Sequence, residues 1–287
     1  MENTERNVDT NKTLLQFNKK LFEKNFHQQR SLYIDILMSA SEYVHDFLFN
    51  GDIYSKVLVQ NKYILSTIIS SYIIFTKLLG PFLMKNQKPF QLNKIMIVYN
   101  FTLSTLNAYL AYHSFRAFFQ YWNVRCSFNG STQHELFMQD ESKYVWQLYL
   151  VKYLELLDTI FFVLRKKYNQ ISFLHVFHHS AVIVVFWWIL YSRVIGMYML
   201  FAVCLNNSIH VIMYMYYGLS AMGPHMQKYL WWKKYLTRIQ IIQFSAIQLY
   251  MLHDYISGCN PMEKLLKSSR NGIHYKKRYQ RKNCFST

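Results

Sequence analysis

Six stretches of this 287-residue chain are apolar over close to the length of a bilayer crossing, at about residues 62–84, 95–120, 144–164, 171–191, 196–217 and 235–256. Roughly 20 helical residues span a hydrocarbon core, where each backbone N–H and C=O must find its partner within the protein. Only eight Gly and four Pro are present, and half the residues are apolar. The expectation is an all-α, polytopic membrane helix bundle with six recognisable spans. It divides into a polar N-terminal segment (1–61), a transmembrane domain (62–257) and a basic C-terminal tail (258–287). The chain through Gln29 is polar and charged, without the apolar core of a cleavable signal.

The formal net charge of +17 is concentrated in the tails and in short loops beside the apolar stretches. Positive charge there reads as a topology signal and a contact with anionic headgroups of the lipid bilayer. No groove-reading or base-stacking module accompanies it, so no nucleic acid is expected as a partner. The first loop carries Lys85, Lys88 and Lys94, the third Arg165, Lys166 and Lys167, and the fifth Lys228, Lys233 and Lys234. The second and fourth carry only Arg125, Lys143 and Arg193. The odd loops are therefore assigned to the cytoplasm and the N-terminus to the lumen, against the charge of the N-terminal segment itself. Cys126 and Cys259 then share the oxidising side and are a disulfide candidate, whereas Cys204, inside the fifth stretch, reads as a small packing residue.

Residues 175–179 read His-Val-Phe-His-His inside the fourth stretch. On a helix His175, His178 and His179 stand at i, i+3 and i+4 and project from one face. Intramembrane ionisable groups are functional candidates by default, against the plainer reading of imidazoles hydrogen-bonded between packed helices. Three further polar sets interrupt apolar stretches. Lys152, Glu155 and Asp158, followed by Thr159, lie along one ridge of the third, where Lys152 can pair with Glu155. Such a pair serves as readily for orienting support as for reaction. On the fifth stretch His210, Met213, Tyr214 and Tyr217 share a face, with Asn206 one turn earlier. A belt of interfacial tyrosines accounts for Tyr216 and Tyr217 better than for His210. On the sixth, Thr237, Gln240 and Gln243 recur every three residues and fit either helix–helix bonding or substrate contact.

The runs K-x-x-E-x-x-D-T, H-x-x-H-H, H-x-x-M-Y-x-Y-Y and T-x-x-Q-x-x-Q occur in that order on separate apolar stretches. Together they resemble the very-long-chain fatty-acid elongases. The likeness extends to Gly80-Pro81-x-x-Met84, Lys88-Pro89-Phe90 and Tyr99-Asn100-Phe101, over roughly residues 62–260. It implies a multi-pass enzyme of the endoplasmic reticulum membrane, a 3-oxoacyl-CoA synthase. Such an enzyme condenses a long-chain acyl-CoA with malonyl-CoA, releasing carbon dioxide and CoA. It also implies a seven-helix bundle around a narrow acyl-chain tunnel. Neither metal nor organic cofactor is implied; partners are the two CoA substrates, with other enzymes of the elongation cycle or a second copy of the chain as further candidates.

No cysteine stands beside the histidine box, whereas several imidazoles do. Histidine is a competent nucleophile with a labile acyl adduct, which makes a ping-pong route through an acyl-histidine the expected mechanism. The resemblance points to the box and the later histidine. His178 is assigned as nucleophile and His210 as the partner that handles protons or stabilises the enolate oxygen, with His175 and His179 orienting; spacing alone does not separate these roles. Arg165, Lys166, Lys167, Lys233 and Lys234 are candidates for holding the CoA phosphates, alongside their role as topology signals.

Two other classes compete. A membrane diiron desaturase or hydroxylase also uses H-x-x-H-H boxes, but needs several of them, and the other histidines here are scattered singly. A lipid-binding scaffold would keep the spans without needing the cluster. The resemblance stops near Pro261: residues 262–287 are polar and basic where a seventh span is expected, and no lysine-rich retrieval signal closes the chain. A form lacking the last helix, impaired in catalysis, is the expectation this raises.

Overall fold

The computed structural model describes residues 38, 39, 42, 53–124, 132–192 and 195–257. Every regular element among the described residues is helical. The long ones are α1 (Lys62–Met84), α2 (Asn93–Gln120), α3 (Thr132–Leu154), α4 (Leu157–Leu164), α5 (Phe173–Ser192), α6 (Met197–Ala221) and α7 (Lys233–Ile256). By length and composition alone α1, α5 and α6 can cross a bilayer. The others are diluted by polar residues, several of which bond back to their own helix, as Asn107 does to the Leu103 carbonyl and Ser114 to that of Leu110. Cys126, Cys259 and the basic tail lie outside the described residues.

Local chemistry sets the helix ends. The Asn61 side chain accepts from the Tyr63 N–H and caps α1. Over Phe75–Leu79 this helix widens into a π turn before Pro81, which has no N–H to continue the regular ladder. Gly80 follows that turn, and a Cβ there would lie 2.7 Å from both the Phe75 carbonyl oxygen and Val163 Cγ1, so α1 approaches α4 at a distance only glycine permits. At the other end of α4, Lys166 adopts a left-handed backbone with φ 55°. The N–H of Lys167 donates to the Phe162 carbonyl at 2.8 Å and that of Lys166 to Val163 at 2.9 Å, a Schellman closure.

The largest helix pairing is α2 on α6, pinned by the Ser104 hydroxyl donating to the Val211 carbonyl at 3.0 Å. Helix α5 packs on α3 around buried Trp146, Tyr149, Ile183 and Leu190. Residues 53–60, left in the polar N-terminal segment by the sequence reading, belong to this packing: Val59 is fully buried, and Trp187 Nε1 donates to its carbonyl at 3.0 Å. Ile241, Ile242 and Leu249 of α7 are exposed, the outward apolar face that lipid covers in a membrane bundle.

Candidate active site

The third apolar stretch is not the single straight helix that its hydropathy implies. It breaks between α3 and α4 at Glu155, where Leu156, Asp158 and Thr159 donate to Tyr153, Glu155 and Leu156 through i→i−3 bonds. Residues three apart eclipse in such a turn, which stacks Lys152, Glu155 and Asp158 on one side. Lys152 and Glu155 are 3% and 1% exposed, so each requires a partner. The Lys152 ammonium donates to both carboxylate oxygens, at 2.8 and 3.0 Å, and reaches Asn206 Oδ1 at 3.4 Å.

Helix α6 brings the fourth histidine to this pair. His210 Nδ1 lies 3.0 Å from Glu155 Oε1, with both groups buried. A carboxylate held by a lysine only accepts, so the proton of the neutral ring sits on Nδ1 and its lone pair on Nε2. One turn on, the Tyr214 hydroxyl donates to Asp158 Oδ2 at 2.7 Å. Tyr99 of α2 packs edge-on against Tyr214 and donates to the Leu154 carbonyl at the helix break. Three helices thus fix the carboxylates of one short turn.

The histidine box occupies the first turns of α5. The rings of His175 and His179 are 4.5 Å apart, and those of His178 and His179 5.8 Å apart. Thr159 Oγ1 lies 2.9 Å from His175 Nε2 and 2.7 Å from the Tyr72 hydroxyl. His178, whose ring faces Phe244 of α7, makes no hydrogen bond to a described residue. His179 is buried. Gln240 of α7 donates to Met213 Sδ at 3.8 Å, Gln243 is buried on the same helix, and Tyr217 is partly exposed.

The basic candidates divide. Arg165 donates to Met96 Sδ and Lys166 to the Lys85 carbonyl, so both tie the loop after α4 to the elements around the first loop. Lys167, Lys233 and Lys234 are exposed, and the Lys234 ammonium lies 5.2 Å from the Tyr235 ring centroid. Sequence reasoning missed Tyr72, one of 24 tyrosines. Its position gives a weak signal, a polar hydroxyl midway along an apolar run. Tyr99 carries part of the family likeness, yet no spacing in the sequence ties it to Tyr214 or to the helix break.

A buried imidazole oriented by a lysine-held carboxylate, in a polytopic membrane bundle that also carries a triple-histidine turn, supplies the groups that a nucleophilic or acid–base centre needs. Residues 57–279 match the family described as ELO: GNS1/SUR4 family. The chain is 40% identical to very long chain fatty acid elongase 1 of Mus musculus, over 75% of this chain and 78% of that protein. Identity to very long chain fatty acid elongase 1 of Homo sapiens is 42%, over 71% and 73%. To very long chain fatty acid elongase 7 of Drosophila melanogaster it is 42%, over 66% and 58%. The chain belongs to the ELO family, and its activity is the condensing step of fatty-acid elongation, that of a 3-oxoacyl-CoA synthase. The family match continues past Pro261 into the basic tail, which corrects the expectation that the resemblance ends there.

Proposed function

We propose that the chain condenses a long-chain acyl-CoA with malonyl-CoA at the endoplasmic reticulum membrane, by a ping-pong route through an acyl group carried on His178. The observation behind this assignment is the division of labour among the imidazoles. His210 has its Nδ1 committed to Glu155 and His175 its Nε2 to Thr159; of the two rings with no hydrogen bond to a described residue, His179 is buried and His178 is the more accessible.

In the first half-reaction the His178 lone pair attacks the thioester carbonyl. A C–N bond forms, the C–S bond breaks, and the CoA thiolate leaves. The ring proton of His178 passes to Nε2 of His210, whose imidazolium is stabilised by Glu155, and from there to the thiolate. In the second, malonyl-CoA loses carbon dioxide and its C–C bonding pair becomes an enolate. The enolate carbon attacks the acyl-imidazole carbonyl, the C–N bond breaks, and the departing imidazole nitrogen takes up one proton from solvent, the proton that the overall condensation consumes. Lys167, Lys233 and Lys234 serve the CoA phosphates, while Lys152, Asp158 and Tyr214 hold the Glu155 turn in place.

Membranes containing the chain, incubated with radiolabelled malonyl-CoA and a panel of acyl-CoAs, are expected to give a 3-oxoacyl-CoA two carbons longer. The product should be missing from His178→Ala and His210→Ala variants that insert normally. Undiminished product from either variant would refute the assigned roles.

A further inference from the structure

We infer that Tyr72 and Thr159 form a hydroxyl relay that holds His175 as its Nδ1–H tautomer, which makes both positioning residues for the histidine cluster. The inference deepens the acyl-histidine reading above and rests on it for its effect on turnover.

Thr159 is fully buried at the start of α4, and its single hydroxyl stands between two polar atoms, 2.7 Å from the Tyr72 oxygen and 2.9 Å from His175 Nε2. The oxygen could accept from both, but its one hydrogen has no third acceptor among the described residues, so it donates to one of these neighbours and accepts from the other. If His175 Nε2 donated, Thr159 would have to donate to Tyr72. The phenol hydrogen would then need another acceptor, and among the described residues Tyr72 bonds only to Thr159. The reverse order satisfies both hydroxyls: Tyr72 donates to Thr159, and Thr159 donates to the sp² lone pair of Nε2, while the half-buried ring keeps its other nitrogen for the proton. The ring proton is thereby placed on Nδ1, and the lone pair that could attack a thioester is occupied.

The neighbourhood fixes the ring in this role. His175 packs against Phe162, with centroids 5.7 Å apart, and its backbone N–H donates to Ser172 Oγ at 3.1 Å. Helix α1 holds the start of α5 a second time through the Lys77 ammonium, which donates to the Ile171 carbonyl at 3.0 Å. His179 lies against the His175 ring, so the orientation set by Tyr72 is passed along the box. The first span therefore acts on the cluster although it contributes no histidine.

Thr159→Val, Thr159→Ser and Tyr72→Phe test the relay by two readouts. In turnover, Thr159→Val and Tyr72→Phe are each expected to lose roughly 3- to 10-fold in kcat with KM for both CoA esters within about twofold, the worth of one or two hydrogen bonds. Thr159→Ser, which restores a hydroxyl, should stay within about twofold of the parent. The second readout needs no turnover: diethyl pyrocarbonate modifies free imidazole nitrogen, and its extent at His175 relative to His179 is read by peptide mass spectrometry. Modification of His175 should rise in Thr159→Val and not in Thr159→Ser. Unchanged modification of His175 in Thr159→Val overturns the relay, as does a Thr159→Ser variant as impaired as Thr159→Val. If Thr159→Val does not fold, Tyr72→Phe decides by the same two measurements. Elongation by His178→Ala would instead overturn the acyl-histidine reading and leave the modification result standing.

Discussion

His210 Nδ1 lies 3.0 Å from Glu155 Oε1, and the same carboxylate is gripped by Lys152 at 2.8 Å. The relationship converts a charge that membrane depth disfavours into an orienting group. The ammonium neutralises the carboxylate, the carboxylate sets the imidazole tautomer, and the lone pair of the neutral ring is left on Nε2.

Removing one member of this set should cost more than removing two. Glu155→Leu leaves a buried ammonium unpaired and is expected to lose about 3–5 kcal/mol of stability. Lys152→Met together with Glu155→Leu should recover much of that loss while remaining inactive. Thermal unfolding in detergent checks the order, and a double variant no more stable than Glu155→Leu would count against the pairing argument.

Gly80→Ala should lower stability by about 1–3 kcal/mol, because the added methyl meets backbone at Phe75 as well as the Val163 side chain. Val163→Ala in the same chain removes one of the two contacts and should restore only part. An alanine variant that melts with the parent would show that α1 and α4 can separate freely.

Tyr214→Phe removes the donor to the half-buried Asp158 carboxyl at 2.7 Å, a hydrogen bond worth about 1 kcal/mol. The loss is expected in melting temperature and, through displacement of the turn that carries Glu155, in kcat. Asp158→Asn, which keeps an acceptor oxygen for Tyr214, should be the milder change. Equal effects of the two substitutions would contradict the hydrogen-bond account.

Glu141 lies outside the third apolar stretch, beside an apolar gap lined by Leu148 and Met199 and a polar crevice of about 260 Å³ lined by Arg116 and Lys143. Burial, with a smaller push from Asp140 and against the pull of Arg116, moves its carboxyl up to about 7. The folded chain thus holds this proton over a window in which the unfolded chain has released it. The contribution is fully present below the unfolded value near 4.5, falls as pH rises, and is lost above about 7. Its size is on the order of 3 kcal/mol. Melting temperature should therefore drop between pH 5 and pH 8, and Glu141→Gln should flatten the profile. The same slope in the variant would assign the effect to another group.

Hydropathy located the helices well where lipid length and helix length coincide. The stretch at 62–84 is Lys62–Met84, that at 171–191 is Phe173–Ser192, and that at 235–256 is Lys233–Ile256. It failed at the third, in two ways. Helix α3 begins at Thr132, well before the apolar run, because a helix continues through polar residues that hydropathy discards. The same run is cut at Glu155, because its ion pair and the i→i−3 bonds reshape the backbone in a manner no residue spacing announces. In the site, spacing brought out the carboxylates and histidines, since charges in apolar runs are conspicuous. It could not separate four imidazoles by role, because that depends on which ring nitrogen is already bonded, a property of neighbouring helices. Tyr72 contacts Thr159 from 87 positions away and stayed hidden for the same reason.

The central claim is that an acyl group rests on His178 between the half-reactions. The direct measurement is to mix the purified enzyme with long-chain acyl-CoA and no malonyl-CoA, quench, and follow free CoA together with the mass of the peptide carrying residues 173–192. The account predicts a burst of about one CoA per enzyme and an acyl adduct localised to His178, discharged on adding malonyl-CoA and absent from His178→Ala. A chain that elongates acyl-CoA yet shows neither burst nor adduct would contradict it, and would require direct attack of the enolate on the bound thioester.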